Sequence, residues 1–351
     1  MVKQVLVAGM AALGLIFAPW LCAQTPASPA EEVVELDTVL VTGEQPGPGL
    51  WKVSRDGHVL WILGSYGPLP RDMKWRSKEV EARVAASQLV LYPGRVNVSA
   101  DIGILRGLTL LPGAIRAAKN PDGAKLAEVL PAEVYAKWRV LKLKYLGKDN
   151  DIEEYRPIYV ANRLRSEATR KSGLGAAVDI RSVVNKAAKK NRVRIQELPT
   201  VTRKVHIEDP RGMLKSVSKV ELGDVECFSK GLDRLEPDLA AMKLRANAWA
   251  RGDLATLRSL ARPASASDDC ALGLINAVSS GEIDQQGMRK VVEDGRREAD
   301  IAGRQVVQNW LDAAQNALAK NASTFAVLPI DQIDRYAARL KEAGCTVESP
   351  D

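Results

Sequence analysis

The chain has 351 residues, which is enough for about two domains or one large α/β domain. Hydrophobic residues make up 46%, charged residues 26%, and the net charge is +7; these globular values exclude wholesale disorder, collagen-like repeats and a polytopic membrane protein. The chain contains only 2 histidines, which excludes any mechanism that needs three histidine metal ligands.

The N-terminus has the pattern of a secretory signal peptide over residues 1–23. Lys3 precedes an apolar run at 5–18, Pro19 ends this run, and residues 21–23 offer a cleavage site. A retained membrane anchor is the alternative, because the apolar stretch approaches the roughly 20 residues that span a bilayer. We therefore expect an exported protein in the bacterial periplasm or envelope, with secretion as the alternative.

A linker is predicted between the signal peptide and the folded domain. Residues 24–48 are rich in Pro, Ala and Glu, and within them residues 36–43 have β-type composition. The octet at 36–43 resembles the TonB box that follows the signal in outer-membrane receptors, and an ordinary edge strand is the alternative. The remainder, residues 49–351, is predicted to form one α/β domain.

The domain is predicted to open with a β-hairpin. β-rich runs at 51–54 and 58–63 flank Asp56-Gly57, a dipeptide typical of tight hairpin turns. A helix at about 77–86 and a strand at 89–92 follow.

The middle of the chain is predicted to be helical. Residues at about 102–192 form a mostly helical insertion, and a short β-rich run returns at 193–198. The next apolar residues step by three and four, which predicts an amphipathic helix, and Pro237 predicts that a new helix begins there. These apolar residues are Phe228, Leu232, Leu235, Leu239 and Met242.

The last part of the chain returns to strands. A long helix is predicted at 285–320, followed by a strand at 324–328, a helix at 331–343 and a strand at 346–348. Because strands occur at both ends and helices between them, we predict an α/β fold with a central mixed β-sheet built from N- and C-terminal segments and a large helical middle region.

Positive charge is concentrated in the middle of the chain. Residues 112–220 contain 24 Lys and Arg against 12 Asp and Glu, an excess of twelve. On an exported protein such a region suits anionic lipid or acidic polysaccharide. A solvated helical surface is the alternative, because the charges are spread over several helices. Nucleic-acid-binding motifs do not accompany the charge, so we expect no nucleic-acid partner.

Three cysteines follow the signal peptide: Cys227, Cys270 and Cys345. In an oxidising compartment Cys227 and Cys270 could form a disulfide across a helical stretch, and two buried free thiols are the alternative. The sequence gives no reason to expect a metal site at these cysteines, because a Cys-x-x-Cys pair or a neighbouring histidine is lacking.

Four short motifs occur in a characteristic order. Leu50-Trp51-Lys52-Val53 and Val59-Leu60-Trp61-Ile62-Leu63-Gly64 open the domain, Trp249-Ala250-Arg251-Gly252-Asp253 ends a helix, and Asn309-Trp310-Leu311 precedes the closing strand-helix-strand unit. In this order they resemble the TraB/GumN family, whose members are relatives of the Tiki metal-dependent proteases. The resemblance runs from about residue 49 to 347. It implies a peptidase-like metal site in active relatives and a cysteine pair at the positions of Cys227 and Cys270.

The resemblance also indicates where the ligands would be. Active relatives carry Gly-x-x-His directly after the first sheet strand, where this chain has Gly64-Ser65-Tyr66-Gly67. A second Gly-x-x-His follows the last core strand, where this chain has Leu328-Pro329-Ile330-Asp331, with Asp331 at the ligand position. Val306-Val307 replaces an Arg-Asn pair, and Glu197 matches the glutamate of a Leu-Glu-Thr type motif. Both imidazoles are therefore absent, and His58 and His206 match neither ligand position.

From these substitutions we expect a catalytically inactive TraB/GumN-like envelope protein that acts as a scaffold or binding module. We expect no metal site and no cofactor, a binding site that includes Gly64, Tyr66 and Gly67, and an envelope protein among its partners. The first alternative is a diverged metal-dependent hydrolase or peptidase, in which Glu197 and Asp331 hold a divalent metal ion. The second alternative is a protein that binds anionic lipid or polysaccharide through residues 112–220.

Overall fold

The computed structural model describes residues 44–71, 73–175, 180–217, 224–260 and 286–350. All of them lie in the larger of two units of the chain, residues 38–351. The predicted signal peptide, the octet at 36–43 and Cys270 lie outside the described residues. None of the described helices combines the length and the apolar character that a bilayer crossing requires.

The strands are numbered in chain order. They are β1 (Glu44–Gln45), β2 (Leu50–Arg55), β3 (His58–Ser65), β4 (Leu69–Pro70), β5 (Lys74–Trp75), β6 (Leu89–Tyr92), β7 (Val96–Ala100), β8 (Leu174–Gly175), β9 (Arg194–Glu197), β10 (Val201–Val205), β11 (Ser323–Pro329) and β12 (Thr346–Glu348).

The helices are numbered in the same way. They are α1 (Lys78–Ala85), α2 (Ile104–Ala118), α3 (Leu126–Val129), α4 (Ala132–Tyr145), α5 (Pro157–Lys171), α6 (Ile180–Lys190), α7 (Pro210–Val217), α8 (Asp224–Arg251), α9 (Leu254–Ser259), α10 (Gln286–Lys320) and α11 (Ile333–Glu342). Short 3₁₀ turns lie at Pro121–Gly123, Asp151–Glu154 and Ile330–Gln332.

One mixed sheet of six strands organises the domain, in the order β12-β2-β3-β11-β6-β9. The strands β12, β2 and β3 pair antiparallel, whereas β3, β11, β6 and β9 run parallel to one another. The sheet joins the N-terminal strands to the C-terminal ones, and helices fill the chain between them. The predicted mixed sheet with a helical middle region is therefore confirmed.

The predicted hairpin connects β2 to β3. Asp56 and Gly57 have φ angles of 51° and 80°, the positive values that a two-residue turn of this kind requires. The turn sets the register that pairs Arg55 with His58. His58 therefore begins β3, at the end of the strand opposite to Ser65.

The central strands are buried on both faces. Leu60, Ile62 and Leu63 of β3 and residues 325–328 of β11 are all buried. Helix α10 packs on β3 and β11, and α1 packs against α6 and β11. Burial on both faces explains why these strands are nearly continuous apolar runs rather than alternating ones.

A second hydrophobic core lies in the helical middle region. Helices α4, α5 and the first half of α8 pack around Trp138 and Phe228, whose ring centroids are 5.7 Å apart. Glu153 is buried there, and its Oε1 accepts hydrogen bonds from Trp138 Nε1 at 3.1 Å and Lys142 Nζ at 2.6 Å, which compensate part of its desolvation. The second half of α8 enters the sheet core at Trp249, so one helix joins both cores.

Helix α8 runs through Pro237 without a break, so the prediction of a new helix at this residue is wrong. Pro237 is exposed, whereas the apolar residues on either side of it along α8 are buried on one face. This burial offsets the backbone hydrogen bond that proline cannot donate and keeps the helix continuous.

Candidate functional site

The carboxyl ends of four parallel strands meet at one edge of the sheet. Tyr66 follows β3, Asp331 lies just after β11, Pro93 follows β6, and Glu197 ends β9. In helix-covered parallel sheets, ligands bind outside this edge. The structure thus places the predicted site residues along a single edge of the sheet, which we call the carboxyl edge.

Gly67 and Asp331 follow the ends of two neighbouring strands. The register of β3 and β11 ends with Ser65 paired to Pro329, and each predicted ligand position lies two residues beyond its strand end. Ser65 Oγ also donates a hydrogen bond of 3.1 Å to the Leu328 carbonyl oxygen, which ties the two strand ends together. The two strands that lead to the predicted ligand positions therefore end side by side.

Gly64 has a structural role, because Ile330 occupies the space that a side chain would need. A Cβ atom at Gly64 would lie 2.8 Å from Ile330 Cγ1 and 3.1 Å from Ile330 Cβ. A Cβ atom at Gly67 would have no heavy atom within 4 Å. Of these two glycines, only Gly64 is required by packing, and Gly67 faces open space.

The motif at residues 249–253 connects α8 to α9 and fixes this connection to the end of β3. Trp249 is fully buried, and its Nε1 donates a hydrogen bond of 2.7 Å to the Gly64 carbonyl oxygen. Gly252 has a φ of +74°, which turns the chain after α8, and Asp253 begins α9 as its N-cap. The Asp253 carboxylate accepts hydrogen bonds from Thr256 N at 2.9 Å and Thr256 Oγ1 at 2.6 Å, which hold its pKa below the usual value.

Arg245 is a buried cation one turn before Trp249. It is only 5% exposed, and its Nη1 donates hydrogen bonds to the carbonyl oxygens of Leu257, at 3.0 Å, and Leu260. Its guanidinium carbon lies 5.5 Å from the centroid of the Tyr66 ring, and its Nε is buried without a hydrogen-bond partner. The described contacts of this guanidinium are thus two carbonyl dipoles and an aromatic face.

A cavity of about 260 Å³ opens at this point between α8, α9 and the end of β11. Arg245 lines it together with Asp331, and Arg258 and Asp334 form an ion pair of 3.1 Å among the lining residues. The apolar part of the lining consists of Trp51, Leu254, Leu257, Leu260 and Ile330. The cavity combines a buried cation, a carboxylate and an apolar wall, which suits ligand binding.

Glu197 lies in different surroundings. It forms an ion pair with Arg181, whose guanidinium carbon stacks 4.1 Å from the Tyr92 ring centroid, and Tyr92 Oη donates a hydrogen bond of 2.8 Å to Asn185 Oδ1. Glu197 lines a separate groove of about 900 Å³ between β9 and α10. The two predicted carboxylates, Glu197 and Asp331, therefore share the carboxyl edge but line different cavities.

The residues at the ends of β3 and β11 do not fit a divalent metal. Gly67 offers no donor, Asp331 offers one carboxylate, and Arg245 adds positive charge to the same cavity. Within the described ranges, no group of three or more His, Cys, Asp or Glu side chains could hold a metal ion.

The two histidines lie elsewhere. His58 is at the start of β3, about 20 Å along the strand from the carboxyl edge, and its Nδ1 contacts the Leu318 carbonyl oxygen. His206 is exposed and follows β10, which pairs with β7 in a separate two-stranded sheet.

The described residues that line the cavity include no cysteine. Cys345 is a buried free thiol whose pKa is raised by burial. The pairing of Cys227 with Cys270 stays a prediction, because Cys270 lies outside the described residues.

Sequence reasoning did not identify Arg245, although a signal for it was present. The apolar period of α8 continues beyond Met242 to Ala246 and Trp249, and Arg245 lies beside this buried face. A charged residue at the buried edge of an amphipathic helix is uncommon and indicates either a buried partner or a site.

Comparison with known proteins gives one match. The sequence model described as the TraB/PrgY/gumN family matches residues 49–349, nearly the whole folded part of the chain. No curated protein and no solved structure matches the chain.

Proposed function

Because the chain belongs to the TraB/PrgY/gumN family, we propose that it is an exported envelope protein that keeps the family fold as a non-catalytic binding module. Its ligand enters the cavity between α8, α9 and the end of β11 and places an anionic group towards Arg245. The family match supports the fold in this proposal, the residues at the carboxyl edge support the loss of catalysis and the binding role, and the N-terminal sequence pattern supports export.

The residues that follow the ends of β3 and β11 are the main support for the proposal. The strands that lead to Gly67 and Asp331 end side by side, and neither of these residues supplies an imidazole. Arg245, which lines the cavity with Asp331, is buried and fixed by two carbonyl oxygens. A fixed guanidinium attracts anionic groups through paired N–H donors and repels a divalent ion.

The hydrolase alternative requires Glu197 and Asp331 to act on one metal ion or one water molecule. Their separate cavities, and the ion pair between Glu197 and Arg181, favour a structural role for Glu197. Asp331 alone is a weak site for an ion that prefers several oxygen ligands.

Export and the Cys227–Cys270 disulfide are part of the proposal. An alkaline phosphatase fusion, which is active only in an oxidising compartment, should be active when joined to the chain. Peptide mapping without reductant should then recover Cys227 and Cys270 in one linked peptide. A cytosolic fusion with both thiols free would contradict this part of the proposal.

Restoring the missing imidazoles tests the loss of the metal site. The variant Gly67→His with Asp331→His should retain Zn²⁺ after dialysis, whereas the wild-type chain should retain none, as measured by elemental mass spectrometry. The open space at Gly67 accommodates the new ring. Each single variant serves as a control that offers only one imidazole.

Three results would overturn the proposal. The first is one tightly bound metal ion in the wild-type protein. The second is metal-dependent cleavage of a peptide library that Asp331→Asn abolishes. The third is a double variant that retains no more Zn²⁺ than the single variants, because the two positions would then not converge.

A further inference from the structure

Helix α2 presents an apolar stripe that the described part of the chain leaves uncovered. Leu105, Leu108, Leu111 and Ile115 are exposed to 82%, 63%, 54% and 52%. Their spacing of three, three and four residues places them on one face of the helix. Single exposed leucines are normal, but four on one helical face form a contiguous patch of the kind that marks an interaction surface.

The opposite face of α2 packs against α7, which anchors the helix in the fold. Leu110 and Ala117 are buried, and a Cβ atom at Gly113 would lie 3.5 Å from Leu214 Cδ1. The stripe is therefore held outward by a helix that is already anchored on its opposite face.

The charged side chains of the two helices are all positive. Helix α2 contains Arg106 and Arg116, α7 contains Arg211 and Lys215, and neither helix contains Asp or Glu.

A basic cavity of about 310 Å³ lies between the two helices. Arg116, Arg211 and Lys215 line it together with Thr109, above an apolar floor that includes Leu214. Two guanidinium groups and a hydroxyl around one cavity are suited to the oxygens of a phosphate group.

The cavity borders the stripe directly. Arg116 lies eleven residues, or about three turns, after Leu105 and falls in the same row of the helix. One surface therefore presents an apolar stripe with a basic cavity at its margin.

We infer that this α2–α7 surface docks on an anionic lipid bilayer. The stripe enters the boundary between headgroups and acyl chains, and the basic cavity takes a lipid phosphate. An apolar helical face with basic flanks is the pattern of interfacial amphipathic helices. The inference concerns a surface other than the carboxyl edge and is independent of the proposed ligand site.

Two other occupants agree less well with these residues. An acidic polysaccharide matches the basic side chains but offers no apolar phase for the four aliphatic side chains. A second copy of the chain, paired symmetrically through α2, would bring the same arginines face to face.

Hydrogen–deuterium exchange of the full chain locates the contact. On addition of phosphatidylglycerol vesicles, peptides that cover residues 104–118 should become protected, whereas pure phosphatidylcholine vesicles should protect them much less. The readout is specific for α2, so membrane binding by the apolar segment at 5–18 does not mimic it. Protection should fall between about 0.1 and 1 M salt, where the screening length shrinks from about 10 to 3 Å.

Matched variants test the two components of the surface. Leu108→Ser with Leu111→Ser should weaken vesicle binding at α2 by about tenfold or more, because each buried leucine contributes strongly to transfer from water. Arg116→Gln with Arg211→Gln should remove most of the dependence on salt. The controls are Val140→Ser with Leu143→Ser and Arg139→Gln with Lys148→Gln, which change exposed residues on or near α4 and should leave binding at α2 unchanged.

Three outcomes would overturn the inference. One is the absence of protection at 104–118 with anionic vesicles. Another is protection by polygalacturonate and not by vesicles, which would indicate a polysaccharide site. The last combines two results. Analytical ultracentrifugation would show a dimer that the variant Leu108→Ser with Leu111→Ser dissociates, and α2 would show no vesicle binding.

Discussion

The indole Nε1 of Trp249 donates a hydrogen bond of 2.7 Å to the carbonyl oxygen of Gly64, where the end of α8 meets the end of β3. Gly64 in turn packs against Ile330, at the end of the neighbouring strand β11. Three segments far apart in the sequence are thereby fixed at one point. The candidate cavity lies next to this point, since Ile330 is one of its lining residues. The stability of the fold and the geometry of the site therefore depend on the same contacts.

Replacing Trp249 should show what this hydrogen bond contributes. Trp249→Phe removes the donor and leaves the Gly64 carbonyl oxygen buried, which should cost about 1–3 kcal/mol beyond the loss of packing. Trp310→Phe is the matched control, because Trp310 is equally buried and its Nε1 has no hydrogen-bond partner. Urea denaturation of the two variants measures the difference. Equal losses of unfolding free energy would show that the Trp249 hydrogen bond contributes little.

Gly64→Ala should be destabilising because its Cβ atom would overlap the Ile330 side chain. We expect a loss of about 1–3 kcal/mol, the usual range for overpacking. The loss should be partly recovered in the background of Ile330→Ala, and a double-mutant cycle measures this coupling. Gly67→Ala is the control and should be nearly neutral, because open space surrounds its Cβ position. Additive effects of Gly64→Ala and Ile330→Ala would contradict the close contact.

The Asp253 N-cap should make stability depend on pH. Hydrogen bonds from the Thr256 hydroxyl, and secondarily from its backbone N–H, lower the pKa of this carboxyl in the folded protein. A lowered folded pKa gives stability that is present above the unfolded value of about 3.9 and is lost as pH falls through the folded pKa.

The stability difference between wild type and Asp253→Asn should therefore be largest near neutral pH and shrink in acid. Thr256→Val should reduce the same difference, because it removes the larger cause of the shift. Urea midpoints measured from neutral to acidic pH check this. Parallel profiles of wild type and Asp253→Asn would argue against a charged cap.

Much of the fold could be predicted from the sequence because its signals are local. The Asp56-Gly57 turn and the apolar runs of β3, β6 and β11 are set by neighbouring residues, and the structure contains them all. The parallel pairing of β7 with β10 was not predicted, because it joins residues 96–100 to 201–205 across the helices α2 to α6, and both strands are largely exposed. A pairing between strands so far apart in the sequence produces no recognisable residue pattern within either strand.

The candidate site was predictable only in part, for a similar reason. Motif positions located Gly64, Tyr66, Gly67 and Asp331 at the ends of strands, and the parallel register explains why they lie at one edge. The cavity itself depends on how α8 crosses the end of β3, and this crossing is a tertiary contact.

Arg245 and Arg258 should differ sharply in their effect on stability, although both line the same cavity. Arg245 is buried and donates hydrogen bonds to the carbonyl oxygens of Leu257 and Leu260, so Arg245→Met leaves these acceptors without a donor. We expect a loss of about 1–3 kcal/mol. Arg258 pairs with Asp334 at an exposed position, so Arg258→Met should change stability by less than about 1 kcal/mol. Urea denaturation of the two variants under the same conditions gives the comparison. We attribute the packing of α9 against α8 to the buried hydrogen bonds of Arg245. Equal losses of stability in Arg258→Met and Arg245→Met would contradict this.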